Sequence, residues 1–208
     1  MIICMFDHKK KDIICITNRT LCREDFLERI KKITDSDTDY LVLREKDLSK
    51  ESYFELAESV INICKDAGKT CILHNFFDVA MALNYKKIHL PLPVLQELDN
   101  ETFSFFDFIG ASAHSLSEAE IALKKGCKFI TLSHIFKTDC KAGLKEKGVE
   151  LIRQVKENLD ITVYGLGGIN EENANEVIKN GADGICIMSG FMKCENPKNY
   201  VERIRRSM

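Results

Sequence analysis

The sequence predicts a single-domain α/β protein folded as a (β/α)8 TIM barrel, and three observations carry that prediction. Eight short runs of β-branched and apolar residues alternate along the whole chain with segments of helical periodicity, the pattern of parallel βαβ units. The 208 residues suffice for one sizeable core and lie at the short end of the barrel range, about 200 residues upward. No Gly-x-Gly-x-x-Gly follows the first apolar run, which counts against an open doubly wound sheet built for a dinucleotide.

Taken in order, residues 1–12 read as an extension ahead of the first strand, Ile13–Thr17. Further strands are expected at Tyr40–Arg44, Thr70–His74, Lys87–Leu90, Phe108–Ser112, Phe129–Ser133, Thr162–Gly165 and Gly184–Met188. Between them, Phe26, Leu27 and Ile30 recur at helical spacing, as do Phe54, Leu56, Ala57, Val60, Ile61 and Cys64 in the next connection. The fourth helix, near Val94–Leu98, is weakly marked and reads as a single turn. Ser117 before Glu118-Ala119-Glu120 predicts an N-cap with acidic residues at the positive end of the helix dipole. Asn170 before Glu171-Glu172 predicts another, and Gly181 fits the position just past a helix ending near Asn180. Ala67-Gly68-Lys69 and Lys125-Gly126-Cys127 read as helix stops that feed the next strand.

Composition narrows the partners. A hydrophobic content of 45% and a charged content of 30% describe a soluble globular protein. The formal net charge of -2 offers no electrostatic footprint for nucleic acid or an anionic membrane, and His8-Lys9-Lys10-Lys11 reads as a solvated end. The nine cysteines are odd in number, lack C-x-x-C and zinc spacing, and place Cys71, Cys127 and Cys186 in apolar runs. Reduced thiols in a cytoplasmic protein are the expectation. MIICMF is too short for a signal h-region, and no apolar run reaches membrane-spanning length.

In such a barrel the chemistry lies at the C-terminal ends of the strands. Gly165-Leu166-Gly167-Gly168-Ile169 ends the seventh and Met188-Ser189-Gly190 the eighth. Glycines let backbone N–H groups approach an anion, so Gly167, Gly168, Met188, Ser189 and Gly190 are candidate phosphate ligands; two tight turns are the bland account. Arg44 and Lys46 suit a carboxylate or phosphate, or else belong to a salt-bridged strand end. Asn75 and Ser112 could hydrogen-bond a heterocycle, whereas His74, His114 and above all His89 read as structural. Few carboxylates stand at these strand ends, so a Mg²⁺ site of several oxygen ligands is hard to assemble. His134 ends the sixth strand under a loop containing Lys137, Thr138, Asp139, Cys140 and Lys141, and an imidazole there could move a proton near neutral pH. Cys140 is a rival nucleophile without a defined partner His.

Leu43-Arg44-Glu45-Lys46, Ser112-Ala113-His114-Ser115, the Phe136–Lys141 loop, Gly167-Gly168-Ile169 and Ala182-Asp183-Gly184…Met188-Ser189-Gly190 resemble, as a set and in order, the thiamine phosphate synthase/TenI superfamily. Within it, the synthase pattern has Gln where this chain has Val42, Asn-Asp after strand three where it has His74-Asn75-Phe76, and Gln-x-Asp where it has Leu90-Pro91-Leu92-Pro93. The synthase's Gly-Pro-Ile-Phe reads Ser133-His134-Ile135-Phe136, and His-x-Phe-x-Thr-Asp-Cys-Lys is similar to TenI, the thiazole tautomerase. The resemblance implies aromatisation of a carboxylated thiazole phosphate, with His134 moving the proton and no metal or redox cofactor. Arg44, Lys46 or Lys141 would meet the carboxylate. The alternatives are a thiamine phosphate synthase and a non-catalytic thiazole-phosphate-binding regulator. A homodimer is left open.

Overall fold

The computed structural model describes residues 10–138 and 145–208. Eight strands, β1 (Asp12–Ile16), β2 (Tyr40–Leu43), β3 (Thr70–His74), β4 (Lys87–Leu90), β5 (Phe108–Ala113), β6 (Phe129–Ser133), β7 (Thr162–Leu166) and β8 (Gly184–Ile187), close into a parallel barrel in sequence order. The connections carry α1 (Phe26–Thr34), α2 (Lys50–Asp66), α3 (Phe77–Ala82), α4 (Leu92–Glu97), α5 (Asn100–Ser104), α6 (Leu116–Lys125), α7 (Glu150–Asn158) and α8 (Ala174–Lys179). After β8 come α9 (Ser189–Lys193) and α10 (Pro197–Ser207).

The expected strands are all present, with shifted ends that have local causes. β1 begins at Asp12, inside the expected extension, because the Asp12 N–H donates to Asp183 O. β2 stops at Leu43 because the Arg44 N–H turns to Thr17 Oγ1, 2.9 Å away. β5 and β7 each run one residue further than expected, and β8 stops one residue earlier. Two caps are corrected. The cap of α6 is Ser115, not Ser117: the Ser115 side chain accepts the Glu118 N–H, and Ser117 only hydrogen-bonds Ser115. Asn170 accepts the Glu172 N–H within a turn, and α8 starts four residues later at Ala174. The weak fourth connection holds two short helices, α4 and α5, the second capped by Asp99. Gly68, Gly126 and Gly181 stand past their helices with positive φ, as expected of helix stops.

Packing places the site. One large apolar cluster fills the space between the barrel and the helices. A smaller one, with Ile14, Ile16, Val42, Ile72, Phe129, Tyr164 and Cys186, fills the barrel itself. Phe129 crosses that interior over Gly110, where a Cβ would lie 2.2 Å from the ring. Towards the strand C-termini the lining turns polar, with His74, His89, Ser112, Thr131 and Ser133 around one small chamber. A barrel that interdigitates apolar side chains below and leaves polar groups above has its reactive end at the top.

The start of β1 is tied from outside to the segment that leads into β2. Arg205 of α10 donates to the Lys11 carbonyl and pairs with Asp39 and Asp37, and Asp39 accepts the Ile13 N–H at 2.8 Å. The seven described cysteines are free thiols; Cys4 and Cys140 lie outside the described residues. Among the described residues no helix is long and apolar enough to cross a membrane.

Candidate active site

The main cavity at the strand C-terminal ends measures about 440 Å³. Its wall contains His134, Arg44 and all five glycine-loop candidates, Gly167, Gly168, Met188, Ser189 and Gly190. His134, which sequence spacing put at the end of the sixth strand, is only 3% exposed and follows directly on β6 through a cis Ser133–His134 peptide. Its carbonyl accepts the Lys147 N–H at 3.0 Å, while the next two residues donate from their backbone to Leu166 and Gly167. The segment after β6 is thereby stitched to the end of β7.

The glycines after β7 make this stitching sterically feasible. Gly167 has φ +103°, and a Cβ there would sit 2.5 Å from the His134 Cβ. Gly168 has φ +68°, and its Cβ would meet the Lys137 carbonyl at 2.5 Å. Only glycine adopts these angles at low cost while leaving that space. The pair therefore serves tight packing as well as an open backbone surface. On the other side, Ser189 and Gly190 begin α9, where first-turn N–H groups have no intrahelical acceptor.

Behind this cavity lies a chamber of about 180 Å³ that shares Ile16, Arg44 and Leu166 with it. Lys46 and Ser112 line the chamber, so two cationic strand-end candidates and one hydroxyl face the same space. Register explains its imidazoles: β3 and β4 pair His74 with His89, whose rings stack with centroids 5.5 Å apart. His89 Nε2 hydrogen-bonds Thr131 Oγ1 at 3.1 Å, so the residue read as structural is a buried, partnered one. Burial pushes its pKa down to about 4, with Lys46 and Arg44 adding to the depression. Burial first, then His89 and the same two cations, also holds His74 well below the usual histidine range. Both rings are neutral at neutral pH. His114 donates from Nδ1 to the Ser133 carbonyl at 2.7 Å, beside the His134 peptide.

The remaining candidates separate. Glu45, between the two cations, turns away: 2% exposed, it accepts Thr17 Oγ1 at 2.6 Å and the Arg19 N–H at 3.0 Å. The strand end is thus both clamp and cavity wall, through different residues. Asn75 does not line either cavity. It takes a positive φ of 70° after β3, with its N–H on the His89 carbonyl, so its expected contact with a ligand is not supported by its placement. Lys141 lies outside the described residues, as does Cys140. The wall also contains Lys137 and Asn170, which the sequence marks only as a loop residue and a cap, and Tyr200, delivered by α10 with no motif to mark it.

A profile of the thiamine monophosphate synthase family (TMP-TENI) matches residues 13–191, nearly the whole barrel. The chain belongs to this family. A putative thiamine-phosphate synthase 2 of Aquifex aeolicus is 36% identical over 185 residues, 87% of this chain and 97% of that one. A thiamine-phosphate synthase of Clostridium acetobutylicum is 30% identical over 88% of each. Among solved structures, a thiamine phosphate pyrophosphorylase from Pyrococcus furiosus superposes with a TM-score of 0.82 at 26% identity over 96% of each chain. These family members carry the synthase name, the alternative to the tautomerase expected from the sequence. The family is one of thiamine-biosynthetic enzymes, and the fold is shared throughout the barrel.

Mg²⁺, which a pyrophosphate substrate would bring, needs hard oxygen donors. Here β3 and β4 are followed by Asn75-Phe76 and Pro91-Leu92, and Glu45 is engaged elsewhere. Among the described residues no group of three His, Cys, Asp or Glu is placed to hold a cation. Among the described residues the donor set does not fit such a site.

Proposed function

We propose that this family member is a thiazole tautomerase, aromatising a carboxylated thiazole phosphate by proton transfer through His134. The observation that carries the reading is the placement of His134 in one cavity wall with both glycine loops, where an imidazole would meet a substrate whose phosphate those loops would hold. The loops after β7 and β8 would take the phosphate through backbone N–H groups. Arg44, on the border of the two cavities, would face the carboxylate, and Lys46 would add positive charge from the chamber side.

In the reaction the proton on the ring carbon bearing the carboxylate moves to His134. The electron pair left behind shifts through the ring to the exocyclic carbon, which takes a proton back from the imidazolium. Atoms and charge balance, and the enzyme ends as it began. A histidine suits both halves because one ring nitrogen can accept a proton in the first and return it in the second. The partner implied is a small molecule.

The second reading is a thiamine phosphate synthase. The names of the relatives favour it, and Arg44 with Lys46 would suit a pyrophosphate. One experiment separates the two. The protein is mixed with the non-aromatic thiazole tautomer, and aromatic absorbance is followed. Acceleration by the wild type that His134→Asn abolishes, with thiazole phosphate still bound, is the expected result. Mg²⁺-dependent condensation of thiazole phosphate with the pyrimidine pyrophosphate, without tautomerisation, would overturn the proposal.

A further inference from the structure

Tyr200 enters the main cavity from α10, remote in sequence from the strand end it faces. Its ring is fixed by an edge-on contact with Phe191, centroids 5.5 Å apart at 84°, and by the Arg203 guanidinium 5.7 Å from its centroid. The side chain is over nine-tenths buried, at 8% exposure, yet it forms part of the cavity wall together with Gly167, Gly168 and Ser189. Its hydroxyl comes so close to the loop after β8 that a Cβ on Gly190 would stand 2.1 Å from it.

The other enclosed tyrosines use their hydroxyls within the protein. Tyr53 donates to Leu43 O, Tyr85 to Cys71 O and Tyr164 to Asp12. The Tyr200 hydroxyl makes no hydrogen bond among the described residues. Burial pushes its pKa up to about 12, so the phenol keeps its proton. A protonated hydroxyl, held rigidly in a cavity wall beside Gly190 and lacking an acceptor among the described residues, is suited to an anionic ligand.

We infer that Tyr200 donates a hydrogen bond to the phosphate held between the loops after β7 and β8. This deepens the proposed function and rests on its phosphate-bearing substrate. It also assigns Gly190 a second role: the residue must lack a side chain so that the hydroxyl can reach the anion beside the loop's N–H groups. Ligand binding is then coupled to the docking of α10, because the donor comes from that helix.

The test is calorimetric titration of the full chain with inorganic phosphate and, separately, with the aromatic thiazole phosphate. Wild type is compared with Tyr200→Phe, which keeps the ring and its packing. Loss of one hydrogen bond to a charged group is expected to raise Kd about tenfold for both ligands. In wild type labelled with ¹³C at the tyrosine ζ carbon, phosphate should shift the Tyr200 resonance and leave Tyr53 and Tyr85 in place. Equal Kd values in the two proteins, or an unmoved Tyr200 resonance, would overturn the inference while leaving the tautomerase proposal intact. A wild type that binds neither ligand would overturn it together with the phosphate cradle. A weakened Tyr200→Phe in a protein that does not tautomerise the thiazole would support it and remove the proposed function.

Discussion

Acidification should destabilise this barrel through one identifiable imidazole. His89 is enclosed between His74 and Phe129, hydrogen-bonded to Thr131, with its pKa held at about 4 against the usual 6.5 or so of an unfolded histidine. Burial is the main cause, and the charges of Lys46 and Arg44 add to it. The sign follows from proton counting. Below pH 6.5 the unfolded chain binds a proton that the folded site refuses, so stability is fully present above 6.5 and falls as the pH drops towards 4. A gap of about 2.5 pH units at 1.36 kcal/mol each predicts a loss of about 3 kcal/mol across that window. His74 shifts in the same direction and steepens the wild-type curve. Urea denaturation at half-unit pH intervals, wild type against His89→Gln, isolates the effect because the carboxylates contribute to both. The difference in unfolding free energy should change by about 3 kcal/mol between pH 6.5 and 4. Parallel curves would refute the assignment of a neutral, desolvated His89.

Two further outcomes follow from local geometry. Gly167→Ala places a Cβ against the His134 Cβ in a left-handed conformation, so it should lower stability by about 1–3 kcal/mol. Because it moves the proposed proton carrier, it should also cut kcat for tautomerisation at least tenfold; stopped-flow absorbance checks the rate, and an unchanged kcat would detach His134 from the chemistry. Glu45→Gln weakens the clamp on Thr17 and Arg19 and should cost about 1–3 kcal/mol, read as a lower Tm in calorimetry.

The barrel was legible because its signals are local and repeated. Apolar runs such as Cys71–Leu73 and Ile185–Ile187 reappear as strands, and glycines past helix ends take the positive φ that stops a helix. Ends and caps were less legible. Ser117 and Ser115 have the same cap chemistry, and only extended backbone at Ser115 lets its oxygen reach the Glu118 N–H. At the site, His134, Arg44 and the glycine loops were readable because they close strands. Asn75 closes one too, but its backbone conformation takes it out of both cavities. Tyr200 was unreadable for the opposite reason: an apolar-face position in an amphipathic helix looks the same whether the ring tip ends in the core or in a cavity. The pairing of His74 with His89 depended on register between β3 and β4, which residue spacing does not encode.

The seam at β1 and β8 has a consequence for how the protein is made. Synthesis releases the first strand long before Gly184–Ile187 exists, so one edge of Asp12–Ile16 has no ladder partner for most of translation. That edge carries Ile13, Ile14 and Ile16, an apolar strand able to pair with another nascent chain. Arg205, which ties the region to Asp39, emerges later still. Closure is thus a late, long-range event, and the interval before it is when a ribosome-bound chain is exposed to aggregation and to chaperones.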